Sequence, residues 1–346
     1  MARCVAGDVF RPGEGWSRGW VLHDGRRVLD AGEGRPPQAP DVEGLVLPAP
    51  VDAHVHAGDR VARGIDVKGR TLAEVVAPPD GLKHRILRET PRDKLVAGMR
   101  EALREAGESG ARAVLDFREG GVDGVRMLRE AAEGAPARAV ALGRAPSWSD
   151  EEIAAVLREA DGIGFPGLRD APGDAPERAA EACGRAGKPF AIHFSEDRRE
   201  DVARVVALRP AFVVHAVRCD GADLRALADA GVHVVLCPRS NALFGPLPDA
   251  RRMVELGVPL ALGSDNAMFH APDVWAEARV LARAFPDVPP ERWLAAATAG
   301  GARALEGAPR RSFLRRGDPA EIAVYKTPPG GPAAFLASPA RLLAKG

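Results

Sequence analysis

Two histidines separated by one residue, His54 and His56, end the stretch of residues 50–59, in which apolar residues alternate. In a β-strand, residues i and i+2 point to the same side, so both imidazoles would face one way. Two neutral imidazoles that converge at a strand end can bind a transition metal, and zinc is the commonest such metal. An H-x-H pair also arises by chance, so the rest of the chain has to decide between a metal site and coincidence.

Further side chains with metal-binding or acid–base chemistry follow apolar runs later in the chain. They are His193, with Glu196 three residues later, His215, and Asp265. Each has an ordinary explanation when taken alone. Asp265 can cap a helix, His215 can be a core histidine, and Glu196 can complement a helix dipole. Because these explanations would have to coincide at strand ends, where four of the eight histidines fall, we favour a functional site.

The elements that would position these residues alternate regularly. Apolar runs predict strands at 51–56, 113–117, 137–142, 162–165, 190–193, 212–215, 232–236 and 260–263. Segments with apolar positions three and four residues apart predict helices between them, for example at 93–108, 151–160, 177–186, 222–230, 250–256 and 272–284. Eight strands alternating with helices over about 250 residues predict a (β/α)8 TIM barrel, whose active sites lie at the C-terminal strand ends. An open doubly wound sheet is the rival, but it would more often have a glycine-rich first turn.

Both ends of the chain carry short strand-like pieces broken by turn residues. The first 47 residues have this character, and residues 320–325 add one more strand. Neither end can hold a core alone. We therefore predict a small β-sandwich-like module built from residues 1–47 and 306–346, flanking a barrel of residues 48–305.

Bulk properties exclude several classes of partner. Lys+Arg and Asp+Glu number 48 each, so net charge gives no argument for nucleic acid or an anionic membrane surface. The four cysteines form no C-x-x-C pair, which fits a reducing cytoplasm. No stretch approaches the ~18–20 apolar residues of a membrane span, and no signal-peptide core follows Met1. The sequence predicts a soluble cytoplasmic protein that acts on a small molecule, with a homodimer as an open alternative to a monomer.

Five segments, in order along the chain, resemble the amidohydrolase superfamily, and within it the cytosine deaminase / chlorohydrolase-like branch. They are VDAHVH at 51–56, HFSE at 193–196, VHA at 214–216, CPRSN at 237–241 and LGSD at 262–265. The whole pattern is also similar to short archaeal-type amidohydrolases whose substrates are unassigned. The resemblance extends over nearly the whole chain, including the terminal module.

The resemblance implies a metal-dependent hydrolase. The residues that match the ligands of a single divalent metal are His54, His56, His193 and Asp265. Zn²⁺ is the first expectation and Fe²⁺ the alternative, since both suit these ligands. Glu196 matches the acid/base that moves a proton from the metal-activated water to the leaving nitrogen. His215 matches the histidine that hydrogen-bonds that water or the developing oxyanion, and Asp265 joins these two in the catalytic set. Known chemistry agrees, because a metal lowers the pKa of bound water to about 7 and a carboxylate and a histidine assist.

Two departures from related patterns bear on the chemistry. Members with two metals use a carboxylated lysine at the fourth strand end, and residues 161–166 contain no lysine, so one metal is expected. The adenosine-deaminase pattern has a second aspartate after the metal-binding one, where this chain has Asn266.

The candidates for substrate binding come from one long segment and from scattered polar and aromatic residues. The long segment 58–90, which contains PPDGLKHR at 78–85, would lie over the site as a lid or specificity element, or be a surface loop with a basic tip. The candidates for substrate contact are Arg239, Asn241, His84, Trp148 and His270, with Arg118 and Glu119 as similar ones.

The predicted reaction is hydrolysis of a C–N bond, most simply deamination of a purine, pyrimidine or related amino-heterocycle. The alternatives on the same site are a cyclic amide or imidazolone hydrolase and a chlorohydrolase. A non-catalytic metal-binding barrel belongs to another class, and it is disfavoured because a structural metal would not need Glu196 and His215.

Overall fold

The computed structural model describes residues 2–78, 80–310 and 312–346. Pro79, in the predicted 58–90 segment, and Met1 and Arg311, in the predicted terminal module, lie outside the described residues. The strands are β1 (Arg3–Arg11), β2 (Gly15–His23), β3 (Val28–Glu33), β4 (Val42–Pro48), β5 (Val51–His56), β6 (Ala113–Arg118), β7 (Arg138–Gly143), β8 (Gly162–Phe165), β9 (Phe190–Phe194), β10 (Phe212–His215), β11 (Val234–Leu236), β12 (Leu260–Leu262), β13 (Asp265–Asn266), β14 (Ile322–Tyr325) and β15 (Leu342–Lys345).

Helices connect most of the strands. The α-helices are α1 (Leu72–Val76), α2 (Leu82–Glu89), α3 (Arg92–Glu108), α4 (Gly121–Ala131), α5 (Asp150–Glu159), α6 (Ala175–Ala186), α7 (Val202–Ala207), α8 (Gly221–Asp229), α9 (Pro238–Phe244), α10 (Ala250–Leu256), α11 (Val274–Ala284), α12 (Pro290–Ala295) and α13 (Gly301–Glu306). Two 3₁₀ turns, Ala57–Ala62 and Pro332–Ala337, and one π-helical turn, Ala296–Gly300, complete the described elements. None of the described helices is long and apolar enough to cross a membrane.

The larger sheet has nine parallel strands in the order β12-β11-β10-β9-β8-β7-β6-β5-β13. Its two edge strands, β12 and β13, are separated in the chain by only Gly263 and Ser264. The sheet therefore curls until its edges meet, with helices on its outer side. This arrangement is consistent with the predicted TIM-like barrel, and each of the eight predicted strands is present.

The last predicted barrel strand is divided into β12 and β13 at Gly263 and Ser264, where the two edges of the sheet meet. We call this place the seam. A Cβ on Gly263 would lie 2.6 Å from the Cβ of His54 and 2.9 Å from its backbone nitrogen, so only glycine fits. The next residue, Ser264, donates two hydrogen bonds to the buried carboxylate of Asp52, from its backbone nitrogen at 2.9 Å and from its hydroxyl at 2.5 Å. These contacts set the register that places Asp265 beside Val55.

The terminal module is one mixed sheet of six strands, in the order β15-β14-β4-β1-β2-β3. The module is thus one sheet and not the predicted sandwich-like pair, because the larger body, and not a second sheet, covers one of its faces. One face joins the core of the larger body through residues that include Phe10, Leu47 and Tyr325. The other face forms its own small cluster, which includes Val9 and Ile322. The residue limits given above for module and barrel stay a prediction.

A buried tyrosine ties the module to the barrel. The hydroxyl of Tyr325 accepts a hydrogen bond from Nε1 of Trp275 at 2.8 Å and donates one to the carbonyl oxygen of Ser109 at 3.0 Å. A Cβ on Gly110 would lie only 2.0 Å from that hydroxyl, so the approach depends on glycine.

Residues 58–90, here called the cover segment, are folded. Thr71 and Glu74 form a reciprocal capping box at the start of α1. Several of its apolar side chains, among them Val75, belong to a small satellite cluster that also includes Met268 and Phe269, whereas Val61 and Leu87 pack against the main core. Arg63 fastens the segment by donating to the carbonyl oxygens of Ala267 and His270.

Candidate metal centre

The four predicted metal ligands lie together at the C-terminal ends of the barrel strands. Nε2 of His54 is 3.2 Å from Oδ1 of Asp265, and Nε2 of His56 is 3.7 Å from the same oxygen. Nε2 of His56 is also 3.4 Å from Nε2 of His193. All four side chains are buried. The candidate ligand atoms form two overlapping groups, His54 with His56 and His193, and His54 with His215 and Asp265, in each of which all ligand atoms lie within 4.8 Å of one another.

Local backbone irregularities aim these side chains into the barrel. The pairing register of β5 shifts between Asp52 and Val55, and Val51 and Ala53 before the shift lie in the inner cluster while Val55 lies in the outer one. Such an irregularity re-aims the side chains that follow it. It accounts for two histidines pointing inward at the end of a strand whose alternate residues also fill the interior.

Several site residues have left-handed backbone conformations that non-glycine residues seldom adopt. The φ angles are 49° at Ser195, 79° at His215, 54° at Ala216 and 58° at Asp265. Each such residue costs of the order of 1–3 kcal/mol, and the cost is tolerated mostly where function requires it. Three of the strand ends that bear candidate residues are thus locally strained.

The protonation pattern of the histidines fits a bound cation. Nδ1 of His56 lies 3.1 Å from the Phe117 carbonyl oxygen and 3.1 Å from Oε1 of Glu119, both of which are acceptors, so this nitrogen carries the proton. Nδ1 of His193 likewise donates to the carbonyl oxygen of Phe165 at 3.0 Å. Both Nε2 atoms are therefore lone-pair atoms.

Two nitrogen lone pairs that face each other in a buried site repel unless a proton or a cation lies between them. The two Nε2 atoms, 3.4 Å apart, have no proton to share, and burial lowers the pKa of His56 to about 3 and that of His193 well below its usual value. A divalent cation removes the repulsion, and three imidazole nitrogens with one carboxylate oxygen form a set that suits zinc or iron(II). The residues present fit a metal ion, and the acceptors on Nδ1 of His56 and of His193 fix those two rings.

Glu196 and His215 flank this centre. Oε2 of Glu196 lies 3.5 Å from Nε2 of His215. Nδ2 of Asn241 lies 3.2 Å from Nδ1 of the same histidine and donates to it, so the His215 proton sits on Nε2, which faces the site. Burial, with the nearby Asp265 and Asp197 carboxylates, raises the pKa of Glu196 well above its usual value.

A reciprocal clamp holds the turn that carries Glu196. The backbone nitrogen of Ser195 donates to Oε2 of Glu200 at 2.8 Å, and the backbone nitrogen of Glu200 donates to the Ser195 hydroxyl at 3.0 Å. The turn is fixed by its own side chains, and it projects Glu196 toward the metal ligands.

The candidate centre opens into a cavity of about 110 Å³. The walls are formed by His56, Leu72, Ala73, Val76, Ala77, Pro78, Lys83, Arg144, Pro166, Asp170, His193, Glu196, Asp197, His215, Ser240, Phe244, Asp265, Asn266 and Phe269. The cover segment supplies six of these residues and lies over the site. Its action as a lid stays a prediction.

The five residues proposed for substrate contact do not line this cavity. Arg239 is engaged by the buried carboxylate of Glu277, which accepts from its Nε at 2.5 Å and from its backbone nitrogen at 2.9 Å. Nε2 of His84 donates to the Val76 carbonyl oxygen at 3.0 Å, inside the cover segment.

The other three candidates also serve neighbouring residues. Trp148 is buried against Phe165, with ring centroids 4.2 Å apart, and His270 accepts from Arg63 through its carbonyl oxygen. Asn241 orients His215, as described above. A sequence shows that a polar residue is present but does not show which partner it already has.

Several residues of the cavity wall were not named as candidates from the sequence. Arg144 follows β7 directly, Ser240 lies in the CPRSN segment, and Lys83 belongs to α2. Among the described residues, Nε of Arg144 and the hydroxyl of Ser240 are buried without a hydrogen-bond partner. The strand-end rule could have found Arg144, since it stands directly after the third barrel strand. Lys83 lies in the stretch 78–85 that was expected over the site, but nothing in the sequence marked it as a buried residue. Arg118 and Glu119 lie behind His56, buried and paired with each other at 2.8 Å.

Comparison with known proteins identifies similar sequences. Residues 45–344 match the model of the amidohydrolase family. A putative aminohydrolase of Methanothermobacter thermautotrophicus is 39% identical over 254 residues, which cover 67% of this chain and 66% of the relative. A 5-methylthioadenosine/S-adenosylhomocysteine deaminase of Halobacterium salinarum is 31% identical over an alignment of 354 positions, gaps included, which covers 88% of this chain and 79% of the relative.

Solved structures share the fold at low identity. An amidohydrolase from an environmental sample of the Sargasso Sea has a TM-score of 0.80 at 18% identity, covering 100% of this chain and 91% of that one. Atrazine chlorohydrolase from Arthrobacter aurescens, solved with zinc, has a TM-score of 0.74 at 18% identity, covering 99% and 93%.

Proposed function

The chain belongs to the amidohydrolase family, and from this premise we propose that it is a hydrolase that uses one divalent metal to deaminate an amino-heterocycle. The observation that carries the proposal is the pair of overlapping ligand groups that share His54. Their members His56, His193, His215 and Asp265 line one cavity together with Glu196. The first relative named above matches over only about two thirds of its own length, so its activity supports the proposal and does not replace it.

The proposed metal ligands are Nε2 of His54, His56 and His193 and a carboxylate oxygen of Asp265. When bound, the ion would supply Lewis-acid polarisation and lower the pKa of a coordinated water to about 7. One metal is proposed, because β8 ends without a lysine. Lys188 is engaged elsewhere, by the carbonyl oxygens of Leu157 and Ala160.

Glu196 would be the general acid–base. It has a carboxylate oxygen 3.5 Å from His215 Nε2, and it is partly exposed to the cavity while His215 is buried. In this position it can take a proton from the attacking water and deliver it to the leaving amino nitrogen. Burial raises the pKa of Glu196 above its usual value, which makes the protonated form more accessible to a group that has to accept and then return a proton.

His215 would stabilise the oxygen on which negative charge develops. The Asn241 amide occupies Nδ1, which leaves the proton on Nε2 and directs it at the site. A fixed donor of this kind stabilises the transition state without reorganisation. This role assigns Asn241 to positioning His215 and not to substrate contact.

The cavity supports a flat substrate with a polar edge. Apolar side chains, among them Val76, Phe244 and Phe269, form part of the wall, and Arg144 and Ser240 supply polar atoms elsewhere on it. A heterocycle has two apolar faces and hydrogen-bonding edges, so it matches this division. The deaminases among the relatives support the same class.

Two other reactions could use the same centre. An imidazolonepropionase of Thermoplasma acidophilum is 31% identical over 155 residues, and the chlorohydrolase named above has a similar fold. The leaving group separates them, since ring opening releases no ammonia and dechlorination releases chloride. Cytoplasmic location and a homodimer stay predictions.

The test combines metal analysis with a substrate screen. Purified protein should contain one equivalent of zinc or iron(II) and should release ammonia from at least one amino-heterocycle. Chloride release or ring opening without ammonia would move the assignment to one of the alternatives. A protein that binds no divalent metal would reject the proposal, and one that binds metal without any turnover would favour a non-catalytic barrel.

A further inference from the structure

A line of polar contacts joins the cover segment to a candidate metal ligand. Lys83, on α2, is only 3% exposed. Its Nζ lies 2.9 Å from Oδ2 of Asp59 and 2.8 Å from Oε1 of Glu119. The same Glu119 oxygen lies 3.1 Å from Nδ1 of His56. One carboxylate oxygen thus bridges a lysine of the cover segment and a histidine of the candidate centre.

The bridge exists only while α2 is docked. A buried ammonium loses several kcal/mol of hydration, which its partners must offset, and Lys83 reaches Asp59, at the start of the cover segment, and Glu119, after β6, only while α2 is docked. Nη2 of Arg118 donates to the other oxygen of Glu119, Oε2, at 2.8 Å. Undocking of α2 would therefore leave Oε2 held by Arg118 but would release Oε1, which would no longer be fixed against Nδ1 of His56.

The cover segment is joined to the main core by few apolar contacts. Five of its apolar residues, among them Val75 and Ile86, belong to the small satellite cluster, whereas Val61 and Leu87 pack against the main core. Segments with few core contacts open at lower free energy than the whole domain. Docking of α2 is therefore an equilibrium that local interactions can shift.

We propose that Lys83 is a positioning residue that couples docking of the cover segment to metal binding, by holding Glu119 against His56. A carboxylate on the outer nitrogen of a histidine ligand fixes its tautomer and raises its basicity toward the metal. The docked segment therefore raises metal affinity. Because such coupling is reciprocal, bound metal must strengthen docking by the same factor. The inference rests on the metal centre proposed above.

The first arm measures metal affinity by chelator competition in wild type, Lys83→Met and Lys68→Met. Methionine keeps an unbranched side chain and removes the charge. Lys68 is an exposed lysine of the same segment and serves as the matched control. Direct loss of an outer partner of a metal ligand costs about 10–100-fold in affinity. Lys83 acts one contact further out, through Glu119, so we expect a loss of about 3–10-fold in Lys83→Met and less than about a twofold change in Lys68→Met.

The second arm measures hydrogen exchange in α2 by mass spectrometry, with and without metal. Metal should slow exchange of the Leu82–Glu89 amides in the wild type by the factor found in the first arm. In Lys83→Met the exchange should become insensitive to metal. A purely structural lysine would change the exchange rate but not its dependence on metal, so this arm separates positioning from stability.

A further variant keeps the test decisive if Lys83→Met does not fold. Asp59→Asn weakens one of the two contacts that hold Lys83 and leaves Glu119 and His56 intact, so it should lower both metal affinity and the metal effect on α2. The coupling would be overturned, and the proposed function left standing, by either of two results. One is a metal affinity in Lys83→Met and Asp59→Asn equal to that of the wild type. The other is hydrogen exchange in α2 of the wild type that does not change when metal is added. A wild type that binds no divalent metal would overturn the proposed function and the coupling with it.

Discussion

The carboxylate of Glu196 and the imidazole of His215 face each other across the mouth of the candidate centre, with Oε2 and Nε2 3.5 Å apart. The imidazole of His215 is held through its own ring nitrogen, whereas Glu196 is held through the backbone turn on which it lies. His215 is held from behind by Asn241, whereas the turn of Glu196 is held by Ser195 and Glu200. The two side chains thus have different side-chain supports, although backbone hydrogen bonds from Ala216 to Phe194 and from Arg218 to Ser195 join the two strand ends.

Glu196→Gln should therefore abolish turnover while metal binding is retained. The amide keeps the shape of the side chain but cannot shuttle a proton, and general acid–base catalysis contributes about 10²–10⁴-fold. The measurements are kcat by ammonia release and metal content of the same sample. Glu181→Gln, on the exposed face of α6, is the control. Surviving activity would show that another group moves the proton.

Ser264→Ala should weaken both the fold and the metal centre. It removes the hydroxyl that donates to Oδ2 of Asp52 and leaves that buried oxygen without this partner. Such a loss costs about 1–3 kcal/mol. Since Asp265 is the next residue, metal affinity should fall as well. Urea unfolding and chelator competition measure the two effects, with Ser338→Ala as control. A variant with wild-type stability and metal affinity would mean that Gly263 alone sets the seam.

Arg144→Met should raise KM more than it lowers kcat. Arg144 lines the cavity, and its closest ion pair is a 3.8 Å contact with Glu119, which Lys83 and Arg118 already hold. Its guanidinium is available to a substrate acceptor, and a hydrogen bond to a charged group is worth about 1.5–3 kcal/mol. That corresponds to roughly 10- to 100-fold in KM.

Arg138→Met is the matched control for Arg144→Met, since it lies at the opposite end of the same strand, β7. Equal KM values in the two variants would exclude Arg144 from substrate binding.

His233 should make the protein less stable in acid. Burial lowers its pKa to about 4, so between pH 6.5 and pH 4 the unfolded chain binds a proton that the folded chain does not. Stability is then present above pH 6.5 and is lost as the pH falls, by about 3 kcal/mol once the pH is below 4. His233→Phe should remove this part of the pH dependence. Urea unfolding of both proteins at pH 7 and 4.5 gives the difference, and parallel pH profiles would contradict it.

Tyr325→Phe should destabilise the protein without changing the candidate active site. The change leaves the buried Trp275 N–H without its 2.8 Å acceptor, which costs about 1–3 kcal/mol. Thermal unfolding should show the loss, while metal affinity per folded molecule stays constant. A drop in metal affinity would indicate that the terminal sheet communicates with the centre.

The strands and the clustering of the candidate ligands were predictable because they obey strong local rules. The strands β9 and β10 are buried on both faces and read as nearly continuous apolar runs with a histidine at or next to the end, whereas in β5 apolar residues alternate with Asp52, His54 and His56. The rule that barrel sites lie at strand ends then brought distant residues together. The predicted helix 250–256 has the same limits in the structure as α10, since Gly257 ends it in a left-handed conformation.

The substrate contacts were not predictable in the same way. Arg239 carries a charge whether it meets a substrate or Glu277, and only the fold decides which. The burial of Lys83 could not be predicted from its own segment, because it depends on Asp59 and Glu119, which come from other elements of the chain. The split of the last strand at Gly263 likewise follows from the approach of His54, a contact between residues more than two hundred positions apart.

The order of strands in the terminal sheet has a consequence for synthesis on the ribosome. β4 pairs with β1 on one side and with β14 on the other. Residues 322–325 are translated after all nine strands of the larger sheet, so one edge of β4 has no partner while those strands are being made. Exposed strand edges template pairing with other chains. The nascent protein therefore carries an aggregation-prone edge until its C-terminal strands arrive, and truncated or slowly translated chains should be the ones that depend on chaperones.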